Sequence, residues 1–136
     1  MRLSTIINNS EQFLPREREV IVQYLHKLGY TCDGIDFYWC WAMDSDNGVL
    51  GAYTPKKKHT IYLQKPEIVI YNYDVIQQYI VNLLPTAVHE LTHREQYLRN
   101  PLLYRFLAIP FVREFTIESE ARGAEREIEK HIDRIV

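Results

Sequence analysis

The 136-residue sequence has only two cysteines, and that scarcity removes several classes of protein at once. Two cysteines build neither a disulfide framework nor a four-cysteine zinc ribbon, and the spacing of Cys32 and Cys40 fits no CxxC metal or redox motif. Both are read as reduced thiols, with Cys40 on a strand. An excess charge of one sign is also lacking. Lys and Arg number 16 against 18 Asp and Glu, a formal net charge of -2, whereas a general nucleic-acid binder gathers a basic excess into a stripe. The one dense basic stretch, Lys56-Lys57-Lys58-His59, reads as a solvated loop. No apolar run approaches the roughly 18 to 20 residues that span a bilayer. Polar residues interrupt "MRLSTIINNSEQF" before a signal-peptide core can form. A cytoplasmic protein that engages neither nucleic acid nor membrane is the expectation. Repeats, low-complexity tracts and linkers are missing as well. Residues 1–136 are therefore read as one domain, with a hydrophobic content of 46% to supply its core.

What is present reads as an α+β chain. In "LPREREVIVQYLHKLGY", Pro15 suits a first helical position, acids fall in the first turn, and Val20, Tyr24, Leu25 and Leu28 recur at helical spacing until Gly29. "IDFYWCWAM" reads as a strand. "DSDNG" carries an Asn-Gly hairpin signal, and "VLGAY" is expected to return as the second strand. "HTIYLQ" is a third, bounded by the lysines and Pro66. "EIVIYN" fits either a fourth strand or a buried connection. With Asp74 as N-cap, the pattern is helical to Arg99, and Pro85 either kinks one helix or starts another. Asn100-Pro101 stops it. "LLYRFLAI" is a short helix or buried loop ended by Pro110. From Phe115 or Thr116 the chain is helical to its end. The expected architecture is an N-terminal helix, a small antiparallel sheet of three to four strands, and two further helices that carry the chemistry.

That chemistry centres on "TAVHELTHREQ", Thr86 to Gln96. Residues four apart lie on one helix face, about 6 Å along the axis, so His89 and His93 are able to aim ring nitrogens at one ion. Glu90, rotated about 100° from His89, flanks that ion and reaches a water held on it. This is the requirement for hydrolysis by a metal-activated water: the metal lowers the pKa of water towards about 7, and a carboxylate takes the proton. Leu84, Ala87, Val88 and Leu91 form an apolar stripe on the opposite side. For this composition chance supplies roughly 0.02 HExxH matches. Without a metal, the two histidines and the glutamate would each need hydrogen-bond partners on burial.

A catalytic zinc takes three protein ligands and keeps one open position. Downstream candidates for the third are Glu114, Glu118, Glu120, Glu125 and His131. A helix that brings a carboxylate to the metal must pack closely on the first, which favours small neighbours. Glu118 has Ser119, Ala121, Gly123 and Ala124 around it, while His131 lies among charges and reads as a surface residue.

"HELTH" followed by "ESEAR" resembles the gluzincin group of zinc metallopeptidases, which pair HExxH with a glutamate on a following helix. The small single-domain minigluzincin-like and SprT-like members are nearest in size, although SprT-like proteases usually add a zinc ribbon. The resemblance covers Thr60 to about Glu125. It implies a Zn2+ site with His89, His93 and Glu118 as ligands and Glu90 as general base, with Glu120 the alternative to Glu118. It further implies that "HTIYLQ" borders the cleft, with a free edge for an extended peptide. Arg122 departs from the pattern, standing where the group often has an acid or amide that holds the first histidine, so the partner of His89 is open. A metzincin would need a histidine at Arg99. The oxyanion donor is also open: Tyr97, eight residues after His89, is one candidate among many tyrosines. The function expected is a zinc-dependent peptidase acting on a peptide or protein. The alternatives are a zinc-binding module without turnover and a binding protein without metal.

Overall fold

The structure, a computed structural model, describes residues 3–43, 48–55, 59–67, 72–107 and 117–135. Two N-terminal elements come first, helix α1 (Leu3–Asn8) and the short strand β1 (Ser10–Gln12). Helix α2 (Pro15–Lys27) follows, and its first turn is closed by the backbone N–H of Leu14, which donates to Glu17 Oε1 at 2.7 Å. Gly29 adopts a positive φ of 91° just past its end, the left-handed conformation that suits glycine. Strands β2 (Ile35–Cys40), β3 (Gly51–Thr54) and β4 (His59–Gln64) complete the sheet. Helices α3 (Tyr73–Asn82), α4 (Leu84–Arg99), α5 (Pro101–Leu107) and α6 (Ile117–Ile135) fill the second half. The class is α+β, as the sequence order implies.

The sheet differs from the antiparallel expectation. Its order is β1-β2-β4-β3, and β2 runs parallel to β4, in register from Ile35 with His59 to Cys40 with Gln64. β1 with β2 and β3 with β4 are antiparallel. The strands flanking the Asn-Gly signal are therefore not hairpin partners; the turn residues 44–47 lie outside the described set. Burial explains the order. β4 is apolar on both sides, with Ile61 and Leu63 in the main core and Tyr62 in a second cluster with Ile6, Cys40 and Met43. A strand buried on both faces belongs at the centre. β3 is half-buried and carries Gly51 and Ala52, and it takes the edge. Among the described residues, the edge expected on "HTIYLQ" thus belongs to β3.

Two helix boundaries are refined. The N-cap of α3 is Asn72, not Asp74: Asn72 Oδ1 accepts from the N–H groups of Asp74 and Val75 at 2.9 and 3.4 Å. Pro85 sits in the first turn of a new helix, with Leu83 at the junction. Of "EIVIYN", residues 68–71 lie outside the described set, as do Pro110, Phe115 and Thr116. Cys32 and Cys40 are buried and unbridged. Among the described residues, no helix is long and apolar enough to cross a membrane.

Helix α4 connects core to site. Leu84, Ala87, Val88 and Leu91 are buried in the main core with Ile21, Leu25, Phe37 and Ile80. Each large side chain so buried contributes about 1.5–3 kcal/mol, so the turn that presents His89 and His93 is fixed from behind. α6 lies against α4 through Ile117, Ala121 and Ile128, all buried. The small-residue argument holds at Ala121, which is fully buried, and at Ala124, which packs against the main core. Ser119 is exposed, and a Cβ on Gly123 would meet nothing within 4 Å.

Candidate metal centre

Three side chains from two helices converge. His89 and His93 rise from one face of α4, their ring centroids 5.0 Å apart. Glu118, in the first turn of α6, reaches between them. Its Oε1 lies 2.7 Å from His93 Nε2, and its Oε2 lies 3.1 Å from His89 Nε2. One donor atom from each residue falls within 4.8 Å of the other two. The site is largely dry: His93 is 1% exposed, Glu90 6% and Glu118 8%.

The donor set suits a divalent cation. His93 Nε2 is buried and makes no hydrogen bond, even though the Glu118 oxygen is only 2.7 Å away. A buried nitrogen left so costs free energy, and an ion between nitrogen and oxygen removes that cost. Electrostatics point the same way. Burial works to lower the pKa of His89, but the Glu118 hydrogen bond and the Glu90, Glu118 and Glu125 carboxylates outweigh it and hold the pKa above its ordinary value. The carboxylates thus favour a positive charge at His89, and a proton or a metal ion meets that demand. Imidazole nitrogens with one carboxylate are the donor chemistry of zinc.

The remaining candidates sort by position. Glu125 is the partner of His89, accepting from Nδ1 at 2.9 Å; it takes the place left open by Arg122. Glu120 turns away, accepting from Gln96 Nε2 at 2.9 Å and from Arg99 Nη2 at 2.6 Å. His131 is exposed, and Glu114 lies outside the described residues.

Four roles escape a reading of the sequence. The first is that of Glu125, weighed there as a ligand and found as the partner of His89; seven positions after Glu118, it returns to the same helix face two turns on, a spacing that carries the signal. Gln96, three positions after His93, accepts from that ring's Nδ1 at 2.8 Å. Gly51 is the third. An added Cβ there would lie 2.7 Å from Thr86 Cγ2 and 3.3 Å from Glu90 Cγ, so the edge strand passes directly over the glutamate. A glycine inside a strand is the available signal for such a close approach. The fourth is Tyr104 of α5, whose ring stands edge-on to His93 at 6.2 Å, while Tyr97 packs against His59 and Tyr104 at 5.8 and 5.9 Å.

A cleft opens over these groups. Residues 48–51 form one wall, and Thr86, His89 and Glu90 of α4 with Glu118, Arg122 and Glu125 of α6 form the rest. Comparison with protein-family models, curated proteins and solved structures finds no match for this chain.

Proposed function

We propose that the protein is a zinc-dependent peptidase that hydrolyses an amide bond, with His89, His93 and Glu118 as the zinc ligands. The observation that carries this reading is the single carboxylate of Glu118 set between two imidazole nitrogens, beside a buried glutamate, at the floor of a cleft. Zinc, when bound, supplies Lewis acidity and lowers the pKa of water towards about 7. Glu90 then acts as the base. It takes a proton from the attacking water and returns it to the departing amine, the exchange that its burial and its place one residue after His89 favour. The free edge of β3, passing over Glu90 at Gly51, offers backbone groups to which an extended peptide adds as a further strand. Tyr104, touching the His93 ring, is the phenol this reading places nearest the developing oxyanion.

The test compares zinc-loaded wild type with Glu90→Gln on a mixture of quenched-fluorescent peptides. The substitution removes a proton acceptor but no ligand, so hydrolysis is expected to fall by roughly 10² or more while zinc stays bound. Zinc-loaded wild type that cleaves nothing, or that cleaves no faster than the variant, would leave a metal-holding module without turnover as the function.

A further inference from the structure

We infer that Gln96 is a positioning residue that governs two of the three ligands together: it sets which nitrogen of His93 carries the proton, and it seats the turn of α6 from which Glu118 emerges. The inference rests on the zinc reading above and assigns a role to a side chain that touches neither zinc nor substrate.

An amide has two unlike ends, a carbonyl that only accepts and an NH2 that only donates. Gln96 Nε2 lies 3.0 Å from the carbonyl oxygen of Ile117 and 2.9 Å from Glu120 Oε1. Both of those atoms are acceptors. A flipped amide would set oxygen against two oxygens, so the NH2 end faces α6. The Gln96 oxygen is thereby left 2.8 Å from His93 Nδ1. An oxygen there requires Nδ1 to be the protonated nitrogen. A neutral imidazole has one N–H, so Nε2 keeps its lone pair, and Nε2 is the atom 2.7 Å from Glu118 Oε1. The proton is thus kept away from the position where a cation is bound.

The same amide grips α6 on both sides of a ligand. Ile117 precedes Glu118 in the chain, and Glu120 follows it by two. Arg99, one turn beyond Gln96 on α4, donates to the same Glu120 oxygen at 2.6 Å. Gripped by both donors, Glu120 holds the Gln96 NH2 in place. His89 has a different arrangement, its Nδ1 bound directly to the Glu125 carboxylate. The more deeply buried histidine has the neutral partner, and that partner also ties the two helices together.

The test uses the full chain and reads the histidine directly. In zinc-free protein, long-range 1H–15N correlation spectra of the neutral ring should show His93 in the Nδ1–H form. Gln96→Leu should lose that preference and lower zinc affinity by about 10- to 100-fold, measured by competition with a chromophoric chelator. Gln96→Glu keeps an acceptor for His93 but offers no donor to Ile117 and sets a carboxylate against Glu120. It should retain the Nδ1–H form yet still bind zinc more weakly. Adding Glu120→Gln to Gln96→Glu restores a donor from the α6 side and should recover part of the loss. Wild-type His93 in the Nε2–H form would overturn the inference without any variant. So would a Gln96→Leu protein with unchanged tautomer and affinity. A wild type that takes up no zinc would overturn the function proposed above, whereas the tautomer spectra still decide what Gln96 does to His93.

Discussion

Leu91 and His93, on opposite faces of α4, are almost equally buried, yet the two faces are held by different physics. On one face Leu84, Ala87 and Val88 are fully buried and Leu91 nearly so, packed into the main core. Their stabilisation is non-directional and scales with apolar area removed from water. On the other face His93 is as inaccessible as Leu91, but each of its nitrogens needs a placed partner. Nδ1 has one in Gln96, and Nε2 faces a carboxylate it does not hydrogen-bond. The apolar face therefore fixes where the helix lies, and on the polar face the proposed cation would supply the partner that His93 Nε2 lacks. Stability and metal chemistry should separate by face.

The largest expected effect falls on the apolar side. Leu91→Ala leaves a cavity behind the site and should cost about 2–5 kcal/mol in denaturant unfolding, while the folded fraction still takes up zinc. A variant that keeps full stability but loses zinc would erase the distinction between the faces. Next comes Gly51→Ala, on the strand above Glu90. Its Cβ would stand 2.7 Å from Thr86 Cγ2, and relieving that contact is expected to cost about 1–3 kcal/mol. Peptide hydrolysis should fall with zinc content unchanged, because the strand moves over the base and not over the ligands. Zinc loss in this variant would place Gly51 among the supports of the metal.

A smaller effect is the pH dependence of the zinc-free protein. Folding raises the pKa of His89, through the Glu118 bond and the surrounding carboxylates acting against burial. The folded state thus binds this proton more tightly than the unfolded state. The stability that follows is fully present below the unfolded value, about 6.5, and is lost as pH rises through the raised folded value. Zinc competes with that proton, so the zinc-loaded form gains with rising pH over the same range. Thermal midpoints of wild type minus those of His89→Asn, with and without zinc, isolate the two slopes. Equal slopes would mean that His89 is not where proton and metal exchange.

Much of this was legible before any coordinates. Helical spacing located α2 and α4, aromatic alternation located β2, and β-forming residues between the lysines and Pro66 located β4; the four-residue spacing put His89 and His93 on one face of a helix. Small residues near Glu118 pointed to a close helix approach, although Ala121 carries most of it and Gly123 none. The strand order was illegible for a definite reason. An Asn-Gly pair reports local turn geometry, whereas β4 takes the central position because it is apolar on both faces, a property of the whole sheet. The hydrogen-bond partners of the histidines were illegible for another. Glu125 matters through the rotation of α6 against α4, and spacing within one helix says nothing about the register between two; Gln96 shares α4 with His93, but the acceptors on α6 decide which end of its amide faces the ring. Two of the three carboxylates weighed beside Glu118 as the third ligand are positioned by that same rotation, Glu125 onto His89 and Glu120 onto Arg99.

The most direct measurement of the central claim is zinc per chain by elemental analysis, on wild type, Glu118→Ala and Glu120→Ala after one common chelator challenge. The account expects about one zinc per chain in wild type, near that value in Glu120→Ala, and loss in Glu118→Ala. A wild type that holds no zinc and melts at the same temperature with or without it would contradict the metal centre. Zinc kept by Glu118→Ala but lost by Glu120→Ala would contradict the assignment of its third ligand.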